Sequence, residues 1–468
     1  MNRSTSCACS TVLTLLLISI AGCISADPKE QLDQTASLAT GRTGTALELQ
    51  DAWSQPFTER EGPWDGVSTL DLDTALRVAL RNDPDLRRQL TLVAEYKAEL
   101  SQASLPPNPF VNFKVGIPID GMGGAPAMVQ LMQQISWLWT LSDRIDVENE
   151  RLQAMILNAA GTTVDRSAQV RAAFMNLLWS QQLLALREQY VQTTAETTKL
   201  IRALAEAGEQ PEVEVVRAQL DHHLASDALL DAQHAVSSKK ILLLRLMGWP
   251  EHNLSWNAIG DLTAAVEKAP GTEDAVLARA EIVRLDIAAS ERQIASKEAA
   301  ARLAGLSRLP DVSIGATWRR NFTARTAIEP TGIITIPILD NGSAKVAKAA
   351  AQLEAALLDA AIVRENAIQE TREALNQWQR ACGQVLLYKD GNVQLARTLF
   401  ERSSKTYKAG LTTSTELLDT QRRVIEVEVE LLKEQLQASL AWIDLEKAVG
   451  GSFDLPLERP SIETKEQS

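Results

Sequence analysis

Apolar residues along this chain keep two different periods, and the two follow one another in a fixed order. Val111, Phe113, Val115 and Ile117 alternate with Asn112, Lys114 and Gly116, the two-residue repeat of a strand with one apolar face. Gly121 to Pro126 reads as a loop, and a return strand is expected to reach Ile135-Ser136-Trp137-Leu138-Trp139. The pattern recurs after Pro310, where Val312, Ile314, Ala316 and Trp318 alternate with Ser313, Gly315 and Thr317; Ile333 to Pro337 follows as the return strand. Elsewhere the period is helical. No proline interrupts residues 142–207 or 343–409, so each stretch predicts a helix on the order of 100 Å long. In the second of them Val346, Ala350, Leu353, Leu357 and Ala360 fall four and three apart. Leu417, Val424, Val427, Leu431, Ala438, Ala441 and Leu445 continue the theme after Gly410. Such spacing predicts heptad seams between long helices lying side by side. Gly383 and Gly391 weaken the second run and mark a candidate bulge.

These elements form one unit written twice. One copy begins near Leu72-Asp73-Thr74-Ala75-Leu76, the other near Glu273-Asp274-Ala275-Val276-Leu277. Each runs helix, short strand, loop, short strand, very long helix, turn and second long helix. Asn82-Asp83-Pro84 breaks the first short helix, and the helix after it reaches Pro106-Pro107. Asp340-Asn341-Gly342 marks a strand-to-helix corner. Trp137, Trp139 and Trp318 near strand ends suit an aromatic girdle at a membrane interface, although a soluble core uses tryptophan equally well.

The N-terminus reads as a targeting segment. Arg3 precedes the apolar run Val12 to Ile20, which is too short to remain as a spanning helix, and Ile20-Ala21-Gly22-Cys23 follows. This resembles the bacterial lipoprotein signal, whose cysteine is acylated and becomes the new N-terminus; Ile24 after it is compatible with outer-membrane sorting in such proteins. The division expected is a signal peptide over 1–22, an extended segment over 23–66, repeats over 67–258 and 272–450, and a polar tail over 451–468. No later stretch is a transmembrane-helix candidate, so a further crossing requires strands closed into a barrel. Four strands are too few, since the smallest barrels need about eight; three copies would supply twelve.

Composition narrows the function class. Aromatics make up 4% of the chain, and long stretches are dominated by Ala, Leu, Gln, Glu and Arg, as in long helices. A formal charge of −13 without a basic stripe disfavours nucleic acid. His222 and His223 are adjacent and point apart on a helix, and the methionines do not share a helix face. No Ser-His-Asp, phosphate-loop or zinc-ligand spacing appears, so neither an enzyme, a metal site nor a cofactor is expected.

Several local matches together resemble the TolC family of outer-membrane efflux proteins over about residues 67 to 450. They are Asn82-Asp83-Pro84-Asp85-Leu86, Leu309-Pro310 before a strand, and Pro337 followed by Asp340-Asn341-Gly342. The most specific is Tyr407-Lys408-Ala409-Gly410 followed by Glu416-Leu417-Leu418-Asp419-Thr420-Gln421-Arg422. The resemblance implies a mostly α protein with a small β part: a homotrimer with a twelve-strand barrel in outer-membrane lipid, continued by a periplasmic helical barrel. It also implies a periplasmic adaptor and an inner-membrane transporter, of the resistance-nodulation-division type, as partners. By the same resemblance Glu416 and Asp419 match acidic rings at the periplasmic entrance and Tyr407 matches a gate tyrosine. Its basic partner is replaced here by Thr412. Gly208 and Gly410 sit at tips that receive the adaptor. The expected function is passive efflux of metal cations or organic toxicants. A type I protein secretion channel and a non-conducting coiled-coil lipoprotein remain as alternatives.

Overall fold

A computed structural model describes residues 25–46, 63–117, 119, 124–249, 253–456 and 459. The signal and the expected lipidation site, Cys23, lie outside them. Helix α1 (Lys29–Thr43) precedes the first repeat, which comprises α2 (Leu72–Asn82), α3 (Pro84–Ala103), β1 (Phe110–Val115), β2 (Ala127–Gln134), α4 (Trp137–Glu206) and α5 (Glu212–Leu246). The second comprises α6 (Glu273–Val283), α7 (Leu285–Leu306), β3 (Asp311–Arg320), β4 (Thr326–Thr335), α8 (Ser343–Leu387), a π turn (Tyr388–Asn392), α9 (Val393–Lys408) and α10 (Ser414–Ala448). The expected duplication is therefore present element by element. No helix among the described residues is long and apolar enough to cross a membrane.

Two compact units divide the chain. The first gathers residues 91–156 and 289–360 with the N-terminal 1–32, of which 25–32 are described. Its centre is a four-stranded antiparallel sheet in the order β1-β2-β3-β4. Phe113 lies opposite Val129, which lies opposite Trp318, which lies opposite Ile328; Val111, Leu131, Ala316 and Pro330 form the next row on the same face. Every one of these is apolar, and Phe113 and Ile328 are three-quarters exposed. Asn112, Gln130, Thr317 and Glu329 share a row on the other face, as do Lys114 and Arg319 through Met128. That second face is held by polar links, Thr317 Oγ1 to Thr331 Oγ1 at 2.8 Å and Arg319 to Glu329 at 3.1 Å. Phe110, Met128, Met132 and Ile333 interrupt it. Among the described residues no strand covers the outer edge of β1 or of β4.

The return strand of the first repeat ends earlier than its sequence suggests. β2 stops at Gln134, and Trp137 to Trp139 open α4 instead. Ile135 still donates its N–H to Val312 O at 2.9 Å, and Ser136 Oγ reaches Asp311 Oδ1 at 3.0 Å. A run of apolar residues at a strand-to-helix junction carries no period of its own, so the boundary was invisible in the pattern. Trp318 alone of the three lies within a strand.

The second unit gathers residues 33–90, 157–288 and 361–468. Its core is tryptophan-rich: Trp256 packs edge-on against Trp64 with centroids 5.2 Å apart, and Trp378 lies 5.5 Å from Trp442. Each repeat makes the same helix break here by different chemistry. In the first, Pro84 enforces an extended Asp83. The Asp83 carboxylate caps α3 through Asp85 N at 2.8 Å and pairs with Arg166 of α4. In the second no proline stands at the break. Arg284 is extended, and its guanidinium reaches Glu370 of α8 at 2.8 Å, Asp286 at 2.6 Å and Ala448 O at 2.9 Å. The ion pair is conserved between repeats in place but reversed in sign.

The heptad seams exist, with one correction. Along α8 the residues removed from solvent are Val346, Ala349, Leu353, Ala356 and Ala360, while Ala350 and Leu357 face outward. The spacing was right, and two of the five expected residues belong to a neighbouring stripe. On α10, Leu417, Ala438, Ala441 and Leu445 are buried, and Val424, Val427 and Leu431 are half-buried. The candidate bulge is the π turn containing Gly391, whereas Gly383 sits in regular helix.

Candidate functional site

Both long hairpins turn by one device. Gly208 N donates to Ala205 O at 2.9 Å and Glu209 N to Leu204 O at 2.9 Å; Gly410 N donates to Tyr407 O at 3.0 Å and Leu411 N to Thr406 O at 2.9 Å. Gly208 has φ +75° and Gly410 has φ +72°, so each is the left-handed residue of a Schellman cap, where a side chain is disfavoured. After the turns, Pro211 and Thr413 stand at the N-caps of α5 and α10, and Thr413 Oγ1 accepts from Glu416 N at 3.3 Å.

The two turns share a small apolar core. Ile201, Val215 and Ala218 of the first hairpin pack with Tyr407, Leu417 and Leu418 of the second. Around it runs a set of polar links joining α5 to α10. Ser414 Oγ donates to Glu214 Oε2 at 2.6 Å, Arg217 donates to both oxygens of Glu214 and to Thr415 Oγ1, and Arg422 Nη2 donates to Asp221 Oδ1 at 2.7 Å. Asp221 is buried, and this contact holds the Arg422 guanidinium above its usual pKa. Glu214, Arg217 and Asp221 were not singled out in the sequence. They meet their partners across roughly two hundred residues of chain, and no local pattern announces such a pairing.

Tyr407 is buried and its hydroxyl finds no hydrogen-bond partner among the described residues. Burial, then the Glu214 carboxylate, pushes its pKa up. Glu416 and Asp419 are both exposed and three residues apart, hence on one helix face. Their surroundings differ. Glu416 accepts a hydrogen bond from Thr412 Oγ1, and no cation pairs with it among the described residues. Asp419 lies 3.6 Å from Arg422, so part of its charge is answered locally. His222 hydrogen-bonds Thr194 at 3.1 Å, and the described residues contain no group of three or more His, Cys, Asp or Glu arranged to hold a metal.

The architecture is a two-faced antiparallel sheet joined in duplicate to hairpins of very long helices. Comparison gives the family. The chain belongs to the outer membrane efflux protein family, whose pattern it matches over residues 75–249 and 276–451. It is 23% identical to the pyoverdine export outer membrane protein OpmQ of Pseudomonas putida, over 83% of this chain and 88% of that one. It is also 23% identical to nodulation protein T of Rhizobium leguminosarum bv. trifolii, over 69% of this chain and 72% of that one. Among solved structures it resembles CusC, with a TM-score of 0.70 at 16% identity, covering 85% of this chain and 96% of that one. The outer-membrane channel OprN gives a TM-score of 0.69 at 17% identity, covering 88% and 95%.

Proposed function

We propose that three copies of this chain form an outer-membrane duct for a tripartite efflux pump, through which solutes pass without chemical change. One observation carries the reading: the sheet has an apolar face exposed across all four strands, a mostly polar opposite face, and two edges that no strand covers among the described residues. In hydrocarbon an open edge leaves backbone groups unpaired at a cost of several kcal/mol each, so the edges must be covered. β1 of one copy against β4 of the next closes twelve strands, with the apolar face toward lipid and the polar face toward the lumen. α5 also leaves Val213, Val216, Leu220 and Leu224 exposed at steps of three and four, a seam suited to a neighbouring copy.

In this reading Cys23 carries the lipid anchor, and the Gly208 and Gly410 turns receive a periplasmic adaptor that links the duct to an inner-membrane transporter of the resistance-nodulation-division type. Glu416 and Asp419 become acidic rings at the entrance, with Tyr407 behind them at the gate. Glu416 is the stronger cation attractant, because Arg422 offsets Asp419. Candidate substrates are metal cations and organic toxicants. The relative named for pyoverdine export favours an organic solute. A type I secretion role shares the same tube and partner logic. A non-conducting spacer is disfavoured, since a spacer has no use for an exposed apolar sheet.

A trimer that is heat-modifiable on gels and conducts in planar bilayers is the expected result, and a non-conducting monomer would sink the duct. Glu416→Gln with Asp419→Asn should lower cation preference and weaken block by multivalent cations. Most of the change should follow from Glu416→Gln alone. Unchanged reversal potentials would remove the acidic ring.

A further inference from the structure

The chain has a formal charge of −13, yet one end of its sheet is cationic. Over residues 110–134 and 311–335 the cations are Lys114, Arg319, Arg320 and Arg325, and the acids are Asp120, Asp311 and Glu329. All four cations fall at the end of the sheet that leads into the two hairpin loops, or within those loops, whereas Asp311 stands at the opposite end of β3. Asp120 lies outside the described residues. Strand register divides the cations between the two faces. Arg320 shares a row with Val115 and Ala127 on the apolar face, while Lys114, Met128 and Arg319 form one row on the mostly polar face.

The second of these rows combines charge with an apolar floor. β1 and β3 flank β2, so the backbones at Lys114 and Arg319 stand about 10 Å apart, and both long side chains reach a group seated over Met128. Met128 is half-buried and offers a soft, polarisable surface between the two charges. Lys114 and Arg319 are exposed. Lys114 has no ion-pair partner among the described residues. Arg319 has one, Glu329 at 3.1 Å, but both side chains are about half exposed, and a pair so placed contributes little. A solute anion can therefore take Arg319 from Glu329. Glu416 and Asp419 belong to the other compact unit, so the two sets of charge act separately.

We propose that the Lys114–Met128–Arg319 row binds organic anions. An apolar or aromatic body rests on Met128, and carboxylate, sulfonate or phosphate groups at its ends meet the two cations. The role in transport rests on the duct reading, because closure of three copies is what turns this face to the lumen and sets the row in the path of solutes. The row narrows the candidate substrates to organic molecules that bear anionic groups; bare metal cations do not fit it.

The test uses the full-length chain and pyrenetetrasulfonate, a flat fluorescent polyanion. Fluorescence anisotropy reports its binding to the chain in neutral detergent, and block of current in planar bilayers reports its binding within the duct. Lys114→Gln with Arg319→Gln should raise both the dissociation constant and the half-blocking concentration about tenfold. Glu329→Gln, which frees Arg319, should lower both about two- to threefold. All three side chains lie on an accessible face, and the substitutions leave the strand ladder intact. Affinity unchanged in the double variant, or weakened by Glu329→Gln, would overturn the site. So would affinity indifferent to salt between about 0.1 and 1 M, since screening must weaken attraction between charges. Anisotropy that responds as expected in a chain that conducts nothing would support the site and remove the duct. A conducting channel whose block ignores all three substitutions would keep the duct and overturn the site.

Discussion

The two repeats have matching elements and different interiors. α2 and α6 are each 11 residues long, and α5 and α10 are each 35. Yet α4 runs 70 residues without a break, while its counterpart is divided into α8, a π turn and α9. The break after the short helix is made by a proline and a carboxylate in one copy and by an arginine in the other. Backbone geometry has been kept where it sets the architecture, and side-chain chemistry has diverged wherever an equivalent solution exists. The first repeat carries its long helix without interruption, and the second inserts a π turn into its own.

The largest expected effect reverses the junction of the second repeat. Arg284 is nearly buried and serves two carboxylates and a carbonyl at once. Arg284→Glu would set a third carboxylate beside Asp286 and Glu370. The loss should be on the order of 3 kcal/mol, at the low end for a buried pair because both partners are half-exposed. Adding Glu370→Arg should recover about half, as expected if the two junctions are sign-reversed versions of one pair. The matching change in the first repeat, Asp83→Asn, keeps a side chain able to cap α3 and should cost only about 1 kcal/mol. Denaturant melts of the detergent-purified chain measure all three. Equal losses at the two junctions would show that the carboxylate, not the proline, holds the first one.

A smaller effect should be the same in both repeats. A Cβ built on Gly208 or on Gly410 meets no atom within 4 Å, so Gly→Ala there tests backbone conformation and nothing else. Each should cost about 1–2 kcal/mol, the usual penalty for a left-handed residue with a side chain. A much larger loss at Gly410 would mean that the second tip is tied to more than its own helix.

The sequence exposes the repeated elements more readily than the interruption in the second. Alternation in Phe110 to Val115 and Asp311 to Arg320 located the strands because each carries one apolar and one mostly polar face, and proline and glycine located the turns. Order and duplication were legible for the same reason. The register of the α8 seam was not, since an alanine-rich helix offers apolar residues on several stripes and only packing chooses among them. The start of α4 was hidden because Trp137 to Trp139 suit a strand end and a first helical turn alike. The tip links from Glu214, Arg217 and Asp221 depend on two hairpins meeting, which local patterns cannot report. Gly391 drew notice as a weak point, but a glycine alone does not announce the π turn found there.

The mildest prediction concerns Tyr407 and separates the two tips by pH. No tyrosine belongs to the first tip's share of the common core, where Ile201, Val215 and Ala218 stand. Removing an unpaired buried hydroxyl relieves its desolvation cost, so Tyr407→Phe should be neutral or stabilising by about 1 kcal/mol. Burial and Glu214 raise the Tyr407 pKa above its ordinary value near 10. Above that pH the unfolded chain ionises at this position before the folded chain does. The folded state then holds more protons, and stability must fall as pH rises beyond about 10. Tyr190 is raised as well, chiefly by burial, and then by Asp221, so the informative quantity is the difference between the two chains. The gain from Tyr407→Phe should be smallest at neutral pH and widen above pH 10. A gain that stays constant with pH would mean that Tyr407 ionises as freely in the fold as out of it. The apolar packing assigned to the second tip would then be wrong.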